Sequence, residues 1–526
     1  MSKFNTKSEY STRVQNKEGA VAYTVDKETE LYTLVVTSMF ADKYYESEGE
    51  QVVRLRELIN ACEPSFVAKL AVYARESMYL RTMPVVLTVE LNKVLHASGK
   101  PTQMIESLST RVIQRVDEIT EMLSYYAIAN ADNMKKNADG STKKLCKLSK
   151  ALQRGIGQAF TKFDEYQLAK YNRKGAVTLK DALFLTHAKP ANKEQEALFK
   201  KLVNDELEVP YTWEVELSTA AEKGKTKTQV WEELIDSNKL GYMALMRNLR
   251  NILEAKVSKE HIIKVASYLE SKEAVQKSKQ LPFRFFSAYK QLAPNTSRRY
   301  YGPTTTEVLK DANPAHTKII LEALEQAVLH ATANIKSVGY DEQIAVVCDV
   351  SGSMQTPVSR NSSVQMYHIG LLMGMCVQER CKYVETGLFG DSYKAYPLPK
   401  SNILGNTIDL ESKEGEVGYS TNGYKVLQDY IRNDKKFDKI MIFTDCQMWD
   451  SYNDSHIQTE WSKYKAKYPE AKLYLFDLQG YGTTPIDVRQ KDVYLIAGWS
   501  EKVFDVLKAL ENKSSAVEHI KNNVRV

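Results

Sequence analysis

The sequence predicts a chain of two parts: a helical first part and an α/β second part with a doubly wound parallel sheet. Up to residue 340, apolar residues recur every three or four positions, as in Ile105, Leu108 and Val112, which is the spacing of amphipathic helices. After residue 340, short β-branched runs alternate with helical segments, as in sheets buried on both faces. Because 526 residues are enough for two to four domains, we expect a first domain over 1–340 and a second over 341–526.

The helices of the first part are expected to form pairs joined by tight turns. Leu87, Leu91 and Leu95 share one helical face, and proline and glycine positions such as 64, 84 and 99–101 separate such segments. The segment 242–256 predicts one amphipathic helix with a basic outer face. More than 300 residues of this kind are typical of an α-solenoid, although no clean repeat period is visible.

Four apolar runs of the second part have the length and β-branching of buried parallel strands. Two helices accompany them, one marked by Ile369, Leu372, Met373 and Cys376 and the last by Val503, Phe504 and Leu507. In a doubly wound sheet the ligand site lies at the carboxyl ends of the strands, here the loops that begin at Asp349 and Asp445. The predicted strands are 344–348, 439–443, 472–476 and 492–496.

The composition is that of an ordinary globular protein, with 43% hydrophobic and 26% charged residues. Six cysteines without a C-x-x-C pair give little support to a disulfide framework or a zinc cluster, and they favour a reducing compartment. Residues 1–7 lack the apolar core of a signal peptide, and no uncharged apolar run approaches the length of a membrane span. We therefore expect a cytoplasmic protein that does not contact membranes.

The positive charge is concentrated in the first part. The net charge of +6 divides into +9 over residues 1–340 and −3 over 341–526, with local excesses of +8 over 141–180 and +6 over 271–300. Such densities favour an anionic partner such as nucleic acid, although lysine-rich helix faces are often simply solvated.

A candidate metal site follows the first predicted strand. Asp349, Ser351 and Ser353 form a D-x-S-x-S loop whose oxygens can all face one hard cation, and Thr421 and Asp445 lie in two further loops. In residue type and order these five positions match the metal-ion-dependent adhesion site of von Willebrand factor A domains. The resemblance implies that a Mg²⁺ ion is held there, with an open position for an acidic group of a partner. The alternative is that the two aspartates only cap the following turns.

The first part resembles the TROVE-domain family, the Ro autoantigen proteins, and the chain is identified as a bacterial-type member. The resemblance spans nearly the whole first part, and Ro proteins also end in a von Willebrand A-like domain, so it covers essentially the entire chain. The stretches that carry it include Phe163-Asp164-Glu165-Tyr166, Leu185-Thr186-His187, Ala74-Arg75-Glu76, Thr212-Trp213-Glu214, Gly241-Tyr242-Met243 and Leu281-Pro282-Phe283-Arg284-Phe285.

The resemblance implies an all-α ring of HEAT-like helical repeats that binds RNA. Small noncoding Y-like RNA would lie on the basic outer surface, and single-stranded 3′ ends of misfolded or structured RNA would enter a central hole. Tyr166 and Tyr171 are candidates for base stacking but equally for the core, and His187 alone fits a helix cap as well as a contact. Lysines and arginines at spacings of three and four from 143 to 154 would share a helix face. The candidate RNA-binding residues are Lys143, Lys144, Lys147, Lys150, Arg154, Lys170, Arg173, His187, Arg247, Arg250 and Arg284.

The sequence favours a non-catalytic, monomeric protein acting in RNA quality control or maturation. It lacks the common phosphate-loop, metalloprotease, nucleophile-elbow and dinucleotide motifs, and a hydroxyl-rich site with two aspartates suits ligand holding better than phosphoryl chemistry. Cys446 fits a buried thiol better than a nucleophile. In bacterial relatives an exoribonuclease can be tethered through the small RNA, so catalysis would be supplied in trans. The rival hypothesis is a Mg²⁺-dependent protein-adhesion scaffold with an incidental basic surface.

Overall fold

The computed structural model describes residues 12–38, 43–133, 146–293, 312–333, 339–359, 362–449, 456–499, 501–507, 510 and 515–526. Its helices are α1 (Lys27–Thr37), α2 (Glu48–Ala61), α3 (Pro64–Glu76), α4 (Thr82–Ala97), α5 (Gln103–Val112), α6 (Val116–Ala129), α7 (Lys150–Ala159), α8 (Glu165–Tyr171), α9 (Leu179–Thr186), α10 (Lys193–Asn204), α11 (Trp213–Ser218), α12 (Lys227–Asp236), α13 (Tyr242–Arg247), α14 (Leu249–Glu254), α15 (Lys259–Glu270), α16 (Lys272–Ser278), α17 (Pro282–Leu292), α18 (Pro314–Ala331), α19 (Met366–Arg380), α20 (Ile403–Glu411), α21 (Tyr424–Arg432), α22 (Ile457–Lys467) and α23 (Ala516–Asn523). Its strands are β1 (Arg13–Gln15), β2 (Val21–Thr24), β3 (Gln343–Asp349), β4 (Tyr383–Phe389), β5 (Tyr393–Tyr396), β6 (Lys439–Thr444), β7 (Lys472–Asp477), β8 (Thr483–Thr484) and β9 (Val493–Ala497).

The chain divides into two compact units. One comprises residues 1–51 and 231–516, which we call the sheet unit, and the other comprises residues 52–230 and 517–526, which we call the helical unit. Each unit is therefore assembled from two separate stretches of the chain. None of the helices in the described part of the chain is long and apolar enough to cross a membrane.

The helical unit is built of packed helices, as the apolar periodicity predicts. Helix α3 packs on α4, α4 on α6, and α5 on α7. Ile105, Leu108 and Val112 lie on α5, and the chain turns at residues 113–115 before α6 begins. Pro84 lies in the first turn of α4, where its missing N–H needs no partner, and not between helices. The core includes Leu70, Leu87, Leu108 and Leu152.

A buried ion pair ties α3 to α6 in the helical unit. Nη2 of Arg75 lies 2.7 and 2.9 Å from the two carboxylate oxygens of Glu118. Arg75 also donates from Nε to the Val112 carbonyl at 2.9 Å, at the end of α5. Glu118 accepts the backbone N–H groups of Gln114 and Arg115, at 2.8 and 3.0 Å. These bonds fix the turn that leads into α6.

The last residues of the chain belong to the helical unit. The Lys69 ammonium donates to the Lys521 carbonyl, and Arg111 Nη1 donates to the Arg525 carbonyl at 2.5 Å. Helices α3 and α5 therefore hold the C-terminal segment.

The sheet unit contains the predicted doubly wound sheet. Its strand order is β5-β4-β3-β6-β7-β9, and all neighbours are parallel except β5, which lies antiparallel at one edge. The four predicted strands are confirmed as β3, β6, β7 and β9, whereas β4 and β5 were not predicted. The helix marked by Ile369 is α19, and the last predicted helix is a 3₁₀ helix over Glu501–Val506.

A short N-terminal hairpin extends the sheet unit, which the expectation of a purely helical first part did not include. Strands β1 and β2 pair antiparallel, and β2 pairs with β8 through Tyr23 and Thr484. The turn of the hairpin spans residues 16–20.

The predicted helix over 242–256 is wrong in detail, because it breaks at Asn248 into α13 and α14. The Asn248 side chain donates to the Ala244 carbonyl at 2.8 Å, and its backbone N–H donates to Leu245 at 3.0 Å. Asparagine competes for helix carbonyls in this way and ends helical turns.

A buried triad links α17 to the helices of the sheet. The Lys290 ammonium lies 2.6 Å from a Glu411 carboxylate oxygen and 3.0 Å from His368 Nε2. His368 Nδ1 accepts the Gln365 backbone N–H at 2.8 Å, so Nε2 carries the proton that faces Glu411. Burial acts to raise the pKa of Glu411, but His368 and Lys290 lower it to about 2.

Candidate metal centre and nucleic-acid interface

The sheet brings the two predicted aspartates to one edge. Asp349 is the last residue of β3 and Asp445 directly follows β6, and the two strands are parallel neighbours in register, with Cys348 opposite Phe443. Strand β3 lies where the strand order reverses: the next strand of the chain, β4, lies on one side of it, and β6 lies on the other side. Ligands bind at such switch points in doubly wound sheets.

The loop after β3 gathers the hydroxyl groups beside the first carboxylate. One Asp349 oxygen accepts the Ser351 backbone N–H at 2.9 Å, and the other accepts the Thr444 hydroxyl at 2.6 Å. The hydroxyl oxygens of Ser351 and Ser353 lie 3.3 Å apart, and both residues are buried. Neighbouring oxygens around an octahedral Mg²⁺ are separated by about 3 Å, because each lies about 2.1 Å from the ion.

Asp445 is the member of the set whose chemistry most clearly fits a cation. Its Oδ1 accepts the Gln447 backbone N–H at 2.9 Å, whereas its Oδ2 is buried and has no hydrogen-bond partner among the described residues. Burial and the nearby Asp349 charge raise the pKa of Asp445, and burial raises that of Asp349. A divalent cation would give the unpartnered Asp445 oxygen a ligand bond and would offset the repulsion between the Asp349 and Asp445 carboxylates.

Thr421 joins this set through a third loop. Thr421 and Ser353 line the same cavity, which has a volume of about 310 Å³. The Thr421 loop approaches the end of β4 closely at Gly390, where a Cβ atom would lie only 2.0 Å from the Gly418 carbonyl oxygen. The structure thus brings together all five predicted residues. In the described part of the chain no three His, Cys, Asp or Glu side chains converge, so a metal here depends on hydroxyl ligands.

Cys446 is a buried thiol, as the sequence predicts. It is fully enclosed, and burial raises the pKa of its thiol well above the ordinary range. A thiol with a raised pKa is a poor nucleophile at neutral pH.

The predicted lysine-rich helix face is only partly formed. Lys143 and Lys144 lie outside the described residues. Lys147 precedes the helix, because Ser149 caps the first turn of α7 by accepting the Leu152 backbone N–H. Lys150 and Arg154 therefore remain as an exposed pair four residues apart, and Arg154 is bonded to Glu106 at 2.6 Å.

The end of α8 carries a cluster of cations around Tyr171. The Lys170 ammonium lies 5.8 Å and the Arg173 guanidinium 6.0 Å from the centre of the Tyr171 ring, although Arg173 lies beyond the end of the helix. Arg115, which the sequence analysis missed, lies 5.0 Å from the same ring and bonds its hydroxyl at 2.8 Å. Tyr166 is exposed rather than part of the core, with Lys170 5.7 Å from its ring. We call Arg115, Tyr166, Lys170, Tyr171 and Arg173 the α8 cluster.

His187 is both a helix cap and an exposed side chain. It ends α9 in the left-handed conformation, with φ of 49°, and its backbone N–H donates to the Phe184 carbonyl. Phe184 is itself 56% exposed. The two sequence alternatives, a capping role and an accessible imidazole, are therefore compatible.

The remaining three arginines converge on one cavity of the sheet unit. Arg247, Arg250 and Arg284 line a cavity of about 350 Å³ together with amide side chains such as Asn251 and Gln291. Arg250 also pairs with Glu254 at 2.7 Å. We call this space the arginine cavity.

Comparisons with known proteins agree with this architecture. The sequence profile of the TROVE domain matches residues 28–206 and 204–309, and that of the Ro60 vWA domain matches residues 343–511. Telomerase protein component 1 of mouse and of rat is 24% and 26% identical over 371 residues, or 54% of this chain. The chain spans only 14% of the length of these curated relatives.

A solved structure has the same fold. The crystal structure of the Deinococcus radiodurans Ro (RSR) protein matches 92% of this chain and all of its own, with a TM-score of 0.56 and 17% identity. The fold and the site thus define a helical protein that carries a von Willebrand A-type domain. Because the TROVE profile matches more than half of the sequence, the chain belongs to the TROVE-domain family, a family of RNA-binding proteins.

Proposed function

We propose that this protein is the non-catalytic RNA-binding subunit of a Ro-type ribonucleoprotein. It binds a small noncoding Y-like RNA through the cationic surface of the helical unit, and it holds single-stranded 3′ ends of misfolded or structured RNA at the arginine cavity. The complex acts in RNA quality control or maturation, and any exoribonuclease is tethered through the small RNA. Family membership supports RNA binding in general, and the two surfaces support its division between two sites.

The arginine cavity is the observation that carries this proposal. Its arginines come from two separate segments of the sequence, so three positively charged side chains line one cavity, and Arg250 also pairs with Glu254. The lining also contains Met243, Met246 and Leu249, which offer apolar surface to a base beside the cations that suit a phosphate. Its volume falls within the range of ligand pockets, about 300–1,000 Å³.

The α8 cluster supports the second surface. Exposed aromatic rings beside cations can stack on unpaired bases while the cations contact phosphates, as in many readers of single-stranded RNA. Tyr166 offers an exposed ring, and Lys170 lies beside it.

The two surfaces can be tested separately with two synthetic RNAs, a stem-loop with a single-stranded 3′ tail and the same stem-loop without the tail. Arg247→Ala/Arg284→Ala should weaken binding of the tailed RNA only, and Lys170→Ala/His187→Ser should weaken both. Each lost phosphate contact should reduce the slope of log K against log salt by about one unit. The matched control is Lys318→Ala, which removes an exposed charge from α18. Unchanged binding in both double variants would refute the proposal.

We also propose that the five residues at the sheet edge hold Mg²⁺. The unpartnered Asp445 oxygen, the adjacent serine hydroxyls and the like charge of Asp349 support this proposal. Bound there, the ion would supply an open coordination position for a carboxylate.

One observation favours the second candidate function, Mg²⁺-dependent protein adhesion. Three exposed aromatic residues, Tyr44, Tyr419 and Trp449, line the mouth of the cavity at this site. Exposed aromatic groups around a pocket are typical of protein-binding surfaces. This candidate predicts that EDTA abolishes capture of a protein partner while the RNA variants have no effect on it.

A further inference from the structure

The Tyr171 ring at the end of α8 gathers three cations from two helices of the helical unit. The Arg115 guanidinium lies nearest, 5.0 Å from the ring centre, and Lys170 and Arg173 lie at 5.8 and 6.0 Å. Among the described residues, no carboxylate is paired with Lys170 or Arg173. A concentration of like charges raises the local positive potential and attracts an anionic ligand.

Arg115 is held in one direction by a carboxylate on its own segment. Its Nε donates to Asp117 Oδ1 at 2.9 Å and its Nη2 to Asp117 Oδ2 at 3.0 Å, a two-bond fork that fixes the plane of the guanidinium. Nη2 also donates to the Tyr171 hydroxyl at 2.8 Å. A fork on the Nε edge leaves Nη1 on the side away from Asp117, and no described residue accepts a bond from Nη1. The side chain is 39% exposed, so a ligand can reach it.

Asp117 is itself anchored, and its charge is matched. It is the second residue of α6, and its Oδ2 accepts a bond from Arg81 Nη2 at 2.9 Å. Burial acts to raise the pKa of Asp117, but the bonds from Arg115 and Arg81 lower it below its ordinary value. Two guanidinium groups thus share one carboxylate, which orients Arg115 without cancelling the positive charge of the surface.

We propose that Arg115 binds a phosphate of the RNA at the α8 cluster and that Asp117 is the positioning residue that orients Arg115 for this contact. The inference rests on the proposed RNA-binding function and deepens it. Tyr171 then organises cations and does not stack on a base, because the cations already surround its ring. Tyr166, which is 43% exposed, is left as the ring that an unpaired base can reach.

The expected effect of Asp117 follows from preorganisation. Ordering one long side chain at the moment of binding weakens affinity about two- to tenfold. Asp117→Asn breaks the fork and should therefore weaken RNA binding by this factor. The same variant removes a negative charge, which on electrostatics alone would strengthen the binding of a polyanion. The positioning role and a purely electrostatic role thus predict changes of opposite sign.

The test measures the Kd of the stem-loop without the tail over a series of salt concentrations, with the full chain. Arg115→Ala should weaken binding about tenfold and reduce the slope of log K against log salt by about one unit. Glu214→Gln is the matched control for Asp117→Asn, because Glu214 is exposed and its charge acts on Tyr166 of the same cluster. It removes one negative charge without touching the fork, so binding should be unchanged or tighter.

Two further variants separate positioning from a general loss of structure. In the Arg115→Ala background, Asp117→Asn should cause no further weakening, because Asp117 acts through Arg115. Arg115→Lys keeps the charge and leaves the pair of Asp117 with Arg81, but a lysine cannot form the fork. It should lose affinity by the same two- to tenfold. Thermal melts verify that each variant is folded, and Arg115→Lys decides if Asp117→Asn is not.

The outcomes distinguish this inference from the function on which it rests. A wild-type chain that does not bind the stem-loop overturns the proposed function and the inference with it. If the wild type binds, an Asp117→Asn variant as tight as Glu214→Gln, or one that weakens binding equally with and without Arg115, overturns the positioning role. Wild-type affinity in Arg115→Lys has the same meaning. An unchanged salt slope in Arg115→Ala overturns the phosphate contact.

Discussion

Replacing Glu118 by glutamine should destabilise the helical unit more than any surface change on the same helix. The glutamate accepts two bonds from Arg75 and two from the backbone N–H groups of Gln114 and Arg115. Glutamine keeps one oxygen as an acceptor, but an amide NH₂ group replaces the other oxygen. This NH₂ group would face N–H donors of Arg75 or of the backbone. It also leaves the buried Arg75 charge without a counter-charge, and breaking a buried pair in this way costs about 3–5 kcal/mol.

Urea unfolding of the full chain, followed by far-UV circular dichroism, measures this change. With a slope of about 2–3 kcal/mol per molar, the midpoint of the affected transition should fall by about 1–2.5 M. Glu121→Gln is the matched control on α6, because its partner Arg81 is 3.5 Å away and both side chains are well exposed, so its effect should be below about 1 kcal/mol. Because Glu118 also fixes Arg115 beside Tyr171, the variant should bind RNA more weakly as well. Equal stability losses in the two variants would refute this reasoning.

Three further predictions concern the metal site, the RNA surface and acid stability. Asp445→Asn removes one of two buried like charges, so the EDTA-treated variant should melt at a higher temperature than EDTA-treated wild type. Added Mg²⁺ should not raise the melting temperature of the variant further. A Mg²⁺-induced rise as large as that of wild type would argue against the site. Lys150→Ala should weaken RNA binding in a filter assay more than Arg154→Ala, because Arg154 is already paired with Glu106; equal losses would contradict this. The depressed pKa of Glu411 means that its charge stabilises the fold above its ordinary value of 4.5 and that this contribution is lost as the pH falls towards 2. The difference in unfolding free energy between wild type and Glu411→Gln should therefore shrink over that interval, and a difference independent of pH would show that the charge is not involved.

The features that the sequence predicted well are those encoded by neighbouring residues. The strands β3, β6, β7 and β9 are continuous apolar runs, and the D-x-S-x-S loop directly follows the first of them. The sheet then brings Asp445 to the same edge because parallel strands share one direction. Strand β4 was missed because its first half, Tyr383–Thr386, mixes charged and polar residues with apolar ones. The residues that suit such a strand depend on the neighbouring strands and on burial.

The features that the sequence could not predict depend on contacts between distant segments. Nothing near Glu18 in the sequence indicates a cavity formed with Ser353, more than 300 residues away. Arg115 joins the α8 cluster only because α6 and α8 pack together. The lysine spacing before Arg154 predicted one helix, but Ser149 caps α7, so this helix begins only at Lys150. Local bonding here outweighed periodicity.

The central claim, that this chain carries a specific small RNA, is tested most directly by the RNA that accompanies it. The full chain and the Lys170→Ala/His187→Ser variant are purified from the native host at moderate salt, and the bound RNA is sequenced. The account predicts one enriched small structured RNA with the wild-type protein and its loss from the variant. A wild-type protein free of RNA, or the same unspecific mixture on both proteins, would contradict the account.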